Sequence, residues 1–325
     1  MFSRLSPSLR RRILFLIVAN SFLLGFVYQY TARTANASFA SELTRSFNNV
    51  APNVLAGIAL TGIIYTGAID LSIGAILVVA GTVFGILYEH GASPGLCFVA
   101  CCLTAAALSV LNGYLIRLLK IPAIIVTLAG LTFYRGLALL LAAAFIPDYG
   151  GQISIVDQAY KSPGKIYAGW VLAVALVAAI LWEAFGKTPR TWLAHGCSQV
   201  ACRLGGLRPG RVLQSSFVAG GVFLGLAALL DVTNRSAIEP ARMARGFELD
   251  VIGGVVLGGT NIFGGEGSFV GTALGMFFLY WVGQALLYAN VSEYWRTAIQ
   301  GAMIVVVIGF DCAMHRKQKQ LDELR

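Results

Sequence analysis

The chain has 325 residues, of which 57% are hydrophobic and only 12% are charged. Soluble globular domains carry roughly 25% charged residues, so this composition argues against a soluble enzyme, a disordered chain, a disulfide scaffold and a nucleic-acid binder. The class that remains is a membrane protein with several spans, in which the net charge of +9 reflects Lys and Arg in cytoplasmic loops.

Apolar runs predict ten spans in chain order. The first, 13–30, follows a basic N-tail at 1–12. We expect it to stay uncleaved, although 35–37 resembles a signal-peptidase site. The others lie at 51–66, 72–88, 95–117, 122–142, 166–185, 212–231, 249–263, 268–288 and 295–312. We therefore predict an all-α, polytopic transmembrane helical bundle of about ten spans, forming one domain over residues 1–325.

The runs 72–88 and 249–263 are short or rich in glycine. Such segments often line the pathway of a transporter instead of facing lipid. We therefore expect short or broken helices near the pathway.

The distribution of basic residues predicts that both termini are cytoplasmic. With this orientation, fifteen of the 24 Lys and Arg residues lie on the side of the termini and eight on the other, while Arg135 lies inside a span. Cytoplasmic loops are the ones that collect Lys and Arg. The cytoplasmic segments are then the N-tail 1–12, a loop at about 187–211 and a C-tail at about 313–325.

Two stretches resemble each other weakly. Residues 68–75 and 248–259 each place an acidic residue before small residues, and the two run in opposite directions on this topology. This arrangement suits an inverted repeat. The alternative is that small residues recur in any packed membrane helix, and the sequence leaves both interpretations open.

Motifs of enzymes and nucleotide sites are missing from the sequence. It contains no G-x-x-x-x-G-K-[ST], no G-x-S-x-G and no H-E-x-x-H, so it predicts no ATP hydrolysis by a phosphate loop, no catalytic residues and no metal site. The glycine-rich stretch 258–267 lacks the G-x-G-x-x-G spacing of a dinucleotide site. Close backbone packing or a re-entrant turn explains it better.

Two charged residues at membrane depth are candidates for a role in transport. Asp70 precedes a predicted helix, so it either caps that helix or forms a polar break in the pathway. Arg135 can snorkel, pair with an acid or face the pathway. Asp70 and Asp148 are its candidate partners, and the sequence does not choose between them.

Seven motifs in order resemble the membrane permeases of bacterial ABC importers for monosaccharides, the ribose, xylose, arabinose and galactose group. The stretch 67–74 (G-A-I-D-L-S-I-G) is similar to the family's G-x-I-D-L-S-V-G, and 255–267 (V-V-L-G-G-T-N-I-F-G-G-E-G) to its V-V-L-G-G-T-S-L-S-G-G-x-G. The remaining five lie at 111–113, 120–128, 135–138, 246–250 and 294–311. The cytoplasmic loop departs from the family's G-G-N-x-x-A-A-x-x-S-G-I, since His195 and Gly196 stand in its G-G-N and Cys202 replaces its second Ala.

The resemblance implies a permease subunit without covalent chemistry and without a cofactor of its own, because ATP and Mg²⁺ bind a separate ATPase chain. It implies four partners: a cytoplasmic ATPase subunit, a periplasmic solute-binding protein, a second permease copy or homologue, and membrane lipid, with no nucleic acid. The location implied is the bacterial inner membrane. The function implied is import of a monosaccharide delivered by the binding protein.

The candidate residues fall into three groups. Pathway candidates are Asp70, Ser72, Thr127, Arg135, Thr260 and Asn261. Candidates for docking the ATPase, in the loop 187–211, are His195, Gly196, Ala201, Arg203 and Gly205. Candidates for docking the binding protein are Arg235, Glu239, Arg242 and Arg245.

Two alternatives stay open. A permease of the same family for a non-sugar solute, such as a nucleoside or a furanose signal, would hardly change these motifs. An ion-coupled secondary transporter would use intramembrane acids, for which Asp70 and Asp250 are candidates. Dependence of uptake on an ion gradient would separate the second alternative from the importer.

Overall fold

The computed structural model describes residues 6–35, 38–146, 152–235, 237–299, 301–303, 305–306 and 309. Its helices are α1 Pro7–Ala35, α2 Phe39–Ile64, α3 Ile73–Glu89, α4 Pro94–Leu119, α5 Ala123–Phe145, α6 Gln158–Ser162, α7 Ala168–Phe185, α8 Lys187–Cys197, α9 Gln199–Leu204, α10 Pro209–Asn234, α11 Phe247–Leu257 and α12 Phe269–Tyr288. Residues 293–299 are also helical. A π-helical turn, Pro163–Tyr167, joins α6 to α7. The strands β1 Ile153–Ser154 and β2 Ala237–Ile238 pair antiparallel.

The predicted all-α, polytopic bundle is confirmed. Seven helices in the described ranges are long and apolar enough to cross a membrane: α1, α2, α4, α5, the continuous unit of α6 and α7, α10 and α12. The run 72–88 forms α3, which is apolar but has only 17 residues. The run 249–263 contributes the 11-residue α11 and then leaves the helical conformation. The tenth run, 295–312, extends beyond the described residues. Asp148, residues 1–5 and the predicted C-tail lie outside them.

The centre of the bundle is formed by α2, α10 and the short α3, most of whose residues are buried. In the most apolar stretches of α2 and α10, 83% and 67% of the residues are buried, against 17–28% in those of α1, α4, α5 and the α6–α7 unit. The outer helices expose large apolar side chains such as Phe22, Leu140 and Trp170. Such surfaces are expected where the surroundings are lipid chains, which are as apolar as the side chains themselves.

Proline marks the beginnings of several helices. Pro94 and Pro209 occupy the first turns of α4 and α10, where the missing N–H costs nothing because it would have no partner within the helix. Lys120 ends α4 with φ of 56°, and Pro122 precedes α5. The connection between α4 and α5 is therefore only three residues long.

The short helix α11 packs against α12 at backbone distance. A side chain on Gly271 would collide with the carbonyl oxygen of Gly258, and one on Gly275 with that of Gly254. Small residues allow this close approach in membrane bundles. The packing fixes α11 although it is too short to cross a membrane.

Candidate functional site

Two interruptions of the helical structure meet in space. The first is 65–72, between α2 and α3, and the second is 258–268, between α11 and α12. The N–H of Gly265 donates to the carbonyl oxygen of Tyr65 over 3.2 Å, and the carbonyl oxygen of Phe263 lies next to Gly67. We call these two segments together the junction.

Glycine makes this close approach possible. Gly67, Gly264 and Gly265 have φ of 78°, 90° and 80°, a region that residues with a side chain rarely adopt. A Cβ on Gly264 would also lie 2.6 Å from the amide nitrogen of Gly67. The glycine-rich stretch 258–267 therefore serves close backbone packing and a turn, as predicted.

Asp70 belongs to a buried chain of hydrogen bonds. Its Oδ1 accepts from the amide and the hydroxyl of Ser72 at 2.8 and 2.6 Å. Asn112 of α4 donates to the Ser72 hydroxyl oxygen at 2.8 Å, and Tyr134 of α5 donates to Asn112 at 2.7 Å. Thr127 of α5 donates to the carbonyl oxygen of Ile69 at 3.1 Å. This polar chain ties the first half of the junction to α4 and α5.

The Asp70 side chain accepts its hydrogen bonds just before the first residue of α3. Ser72 is the N-cap of α3, and Asp70 accepts from its amide two residues on, the pattern of an Asx-turn. The other carboxylate oxygen, Oδ2, is buried and has no hydrogen-bond partner among the residues described. Asp70 thus orders the approach to α3, and one of its oxygens stays available.

Arg135 is held by the segment that precedes α11. Its guanidinium donates to the carbonyl oxygens of Ala244 at 2.8 Å and Met243 at 3.5 Å, and it lies 3.7 Å from Glu248 Oε2. Of the two partners considered from the sequence, Asp70 accepts hydrogen bonds from Ser72 instead, and Asp148 lies outside the described residues. Sequence reasoning missed Glu248, although it belongs to the stretch 248–259 noted for its similarity to 68–75.

Thr260 and Asn261 lie in the second half of the junction. Thr260 is buried, and its hydroxyl oxygen is without a partner in the described part of the chain. Asn261 Oδ1 accepts from the amide of Phe263 at 3.0 Å. The structure therefore groups Asp70, Ser72 and Thr127 at one half of the junction, places Thr260 and Asn261 at the other, and sets Arg135 against α11.

Glu183, which the sequence did not single out, connects three elements. It lies near the end of α7 and accepts hydrogen bonds from the Tyr65 hydroxyl and from the amide of Phe269, the latter at 3.2 Å. A carboxylate at the first amide of α12 is stabilised by the helix dipole. In the sequence, Glu183 is the single acidic residue of the apolar run 166–185 and lies near its end. This isolated acid was the signal that could have identified it.

The loop 187–211 has a packed half and an exposed half. In α8, a side chain on Gly196 would collide with the Tyr65 carbonyl oxygen and the Gly265 nitrogen. Trp192 is buried, and its indole donates to Ser215 at 2.8 Å. His195 is only 3% exposed, and burial lowers the pKa of its imidazole, which favours the neutral form. α8 therefore rests on the junction.

The exposed half of the loop is α9 and the residues that follow it. Ala201, Arg203 and Gly205 are exposed, so the predicted docking candidates divide between the packed α8 and the exposed α9. Val200 and Leu204 are 69% and 86% exposed. Apolar side chains exposed outside the spans are typical of an interaction surface.

The segment 235–245 at the opposite end of the molecule contains the other docking candidates. Arg235 forms an ion pair with Asp231 at 2.9 Å, and Arg242 lies 3.5 Å from Glu239. Arg245 donates to the carbonyl oxygen of Ala241. Arg242 and Arg245 are exposed, and these two offer positive charge to a partner.

Comparison with known proteins gives a family match over most of the chain. Residues 43–308 match the family described as branched-chain amino acid transport system / permease component. The chain is 30% identical over 299 residues to the ribose import permease protein RbsC of Bacillus subtilis, covering 89% of this chain and 91% of that protein. No solved structure matches it significantly.

Two further relatives are permeases for another solute. The autoinducer 2 import system permease protein LsrC of Photorhabdus laumondii is 30% identical over 288 residues, which are 86% of this chain and 84% of the relative. The protein of the same name from Escherichia coli is 29% identical over 287 residues, 86% of this chain and 82% of its own.

Proposed function

Because the chain belongs to the permease family described as branched-chain amino acid transport system / permease component, we propose that it carries a monosaccharide across the inner membrane of a bacterium as the transmembrane subunit of an ATP-driven importer. It is a permease of the sugar ABC importer class and not an enzyme, since its relatives are import permeases whose ATPase is a separate chain. We propose a monosaccharide as the solute because the chain is similar to the ribose permease over 89% of its length.

The loop 187–211 supports a cytoplasmic ATPase as partner. The exposed apolar side chains of Val200 and Leu204 flank the exposed Arg203, so the ATPase gains both apolar contact and a charge. The adjoining α8 packs on the junction through Gly196. A displacement of the loop on ATP binding therefore reaches both interrupted segments directly.

The segment 235–245 supports docking of a binding protein on the other face. Arg242 is strongly exposed, with 81% of its side chain accessible. The bidentate pair of Arg235 and Asp231 fixes the end of α10 beneath it. We propose that both termini are cytoplasmic, and that two permease copies, or this chain with a homologue, enclose the path.

Transport in this proposal is a change between two packings of the junction. Asp70, Ser72 and Thr127 hold one half to α4 and α5, and Thr260 and Asn261 belong to the other half. Arg135 holds the start of α11. A solute and ATP can shift such an equilibrium only if they bind the two packings with different affinity.

A second candidate is import of a non-sugar solute by the same machine. The similarity to two LsrC proteins, whose names give autoinducer 2 as the solute, favours this alternative specifically. Family membership favours an ATP-driven importer over an ion-coupled carrier for either solute.

The test is uptake into membrane vesicles that contain this chain, coexpressed with the ATPase and binding protein of its own organism. Radiolabelled D-ribose, D-xylose, D-galactose, adenosine and leucine are compared, each with ATP, with vanadate and with a protonophore. We expect uptake of one of the three sugars that needs ATP, is stopped by vanadate and resists the protonophore.

Uptake of adenosine or leucine alone would replace the sugar by a non-sugar solute. Uptake that persists without ATP and stops with the protonophore would overturn the importer mechanism. Uptake by vesicles that lack this chain is the background to subtract.

A further inference from the structure

A polar cavity lies away from every pathway candidate identified from the sequence. It has a volume of 320 Å³, is partly open to the surroundings, and is lined by α2, the start of α11, α12 and the helical residues 293–297. Its polar lining consists of Asn53, Asp250, Gln284, Glu293, Arg296 and Thr297. Known small-molecule sites have volumes of about 300–1,000 Å³, so the cavity has room for one small solute.

The cavity is separated from the junction along the helices that line it. Asn53 is near the middle of α2 and Gln284 in the second half of α12, whereas the junction follows the end of α2 and precedes the start of α12. α11 connects the two places: Asp250 lines the cavity from its first turn, and Gly258 opens the second half of the junction.

The lining offers both donors and acceptors of hydrogen bonds. Asp250 and Glu293 supply carboxylate acceptors, and Asn53 and Gln284 supply amides that donate and accept. Arg296 Nε is buried and has no partner within the described residues. A buried donor without a partner costs free energy, so a ligand oxygen placed there would be bound favourably.

The charges select the class of ligand. Two carboxylates against one guanidinium leave this lining negative, which disfavours a phosphate or another anion. Met276 and Tyr280 add apolar surface for the C–H faces of a ring. A neutral solute with several hydroxyl groups, each a donor and an acceptor, matches this combination best.

We propose that the cavity lined by Asn53, Asp250, Gln284 and Arg296 binds a neutral, polyhydroxylated solute of monosaccharide size on its way to the junction. This rests on the proposed function and deepens it, because it assigns the solute a place on this chain. A bound solute touches α11 near Asp250, and the far end of that helix adjoins the junction.

The test is direct binding to the purified full chain in lipid nanodiscs. D-ribose, D-xylose and D-galactose are titrated and followed by tryptophan fluorescence, since Trp281 and Trp295 adjoin lining residues in sequence. Asn53→Leu and Gln284→Leu remove an amide at similar volume, and Thr297→Val serves if either variant fails to fold. Gln152→Leu, at an exposed residue outside the cavity, is the matched control.

We expect saturable binding of at least one sugar, with affinity reduced about tenfold or more in the cavity variants and unchanged in Gln152→Leu. Absence of saturation by all three sugars in the unaltered chain, or equal affinity in the cavity variants, would overturn the site.

Uptake by vesicles of the complete importer separates this inference from the proposed function. Normal sugar uptake by folded Asn53→Leu and Gln284→Leu overturns the site and leaves the function standing. Binding that depends on the amides, in a protein whose vesicles take up no sugar, supports the site and refutes the function.

Discussion

The amide of Gly265 donates a hydrogen bond of 3.2 Å to the carbonyl oxygen of Tyr65, and Gly196 of the loop 187–211 packs against both atoms. This one contact brings together the interruption after α2, the interruption after α11 and the loop that we propose docks the ATPase. A movement of α8 cannot occur without displacing one of these segments, because interiors are close-packed.

Replacing Gly196 with leucine is expected to damage the junction itself. The new side chain collides with backbone at Tyr65 and Gly265, and overpacking of this kind costs about 1–3 kcal/mol. We expect lost transport together with a lower melting temperature in detergent. The sequence analysis placed Gly196 and Gly205 alike among the candidates for docking the ATPase.

Gly205→Leu is the matched variant, because Gly205 is exposed and a Cβ there meets only ordinary contacts at 3.4 Å or more. It should melt like the unaltered chain and still lose transport. A normal melting temperature for Gly196→Leu would contradict the packing described. Normal transport by Gly205→Leu would show that the exposed half of the loop does not dock the ATPase.

A charge on α9 should release the ATPase without affecting the fold. Leu204 is 86% exposed, so Leu204→Glu loses no buried contact, and surface substitutions usually change stability by no more than about 0.5 kcal/mol. We expect much less ATPase to copurify from mild detergent. Val156→Glu, at a residue 75% exposed in another part of the chain, is the control that should retain it. Equal recovery of the ATPase in both variants would place the docking surface elsewhere.

Seven of the ten predicted spans coincide with helices that are long and apolar enough to cross a membrane, because such helices stand out by their hydropathy. Glycine-rich stretches likewise predicted short helices at 72–88 and 249–263. The meeting of Tyr65 with Gly265, and of Arg135 with Glu248, was not predictable, since these partners are far apart in the chain and only the packing of α2, α5, α11 and α12 brings them together. The cavity beside Asn53 was missed for the same reason. The inverted repeat stays a prediction.

Asp70 variants separate a structural role from a role in the pathway. Asp70→Asn keeps an oxygen that can accept from the Ser72 amide, whereas Asp70→Ala loses both bonds of 2.8 and 2.6 Å. Lost hydrogen bonds that leave buried partners cost about 1–3 kcal/mol each. We expect Asp70→Ala to melt at a lower temperature and Asp70→Asn to stay close to the unaltered chain in both melting and transport. An Asp70→Asn protein that is stable but inactive would instead assign the charge itself to transport.

Tyr65 and Glu183 are expected to stabilise the protein as a unit. The Tyr65 hydroxyl donates to a carboxylate that also caps α12 through the amide of Phe269, and hydrogen bonds to charged groups contribute about 1.5–3 kcal/mol. Tyr65→Phe and Glu183→Gln should each lower the free energy of unfolding measured by denaturant titration in micelles. The double variant should lose less than the two losses added together. Strict additivity would show that the pair does not interact.

Arg135 should be more sensitive to substitution than its partner Glu248. The guanidinium donates to two carbonyl oxygens and also faces the carboxylate. Lysine has a single ammonium group that cannot reproduce the planar fork. We expect Arg135→Lys to lower both transport and the melting temperature, and Glu248→Gln to lower them less, because the bonds from Arg135 to Ala244 and Met243 remain.

The order of these two effects distinguishes two roles for Arg135. If the arginine chiefly holds the backbone ahead of α11, Arg135→Lys is worse than Glu248→Gln in melting and in transport alike. If the ion pair itself opens and closes during transport, both variants melt almost normally, and both lose uptake to a similar extent. The first outcome is the one we expect, since the shortest contact of Arg135 is the 2.8 Å bond to the Ala244 carbonyl oxygen and the carboxylate lies 3.7 Å away.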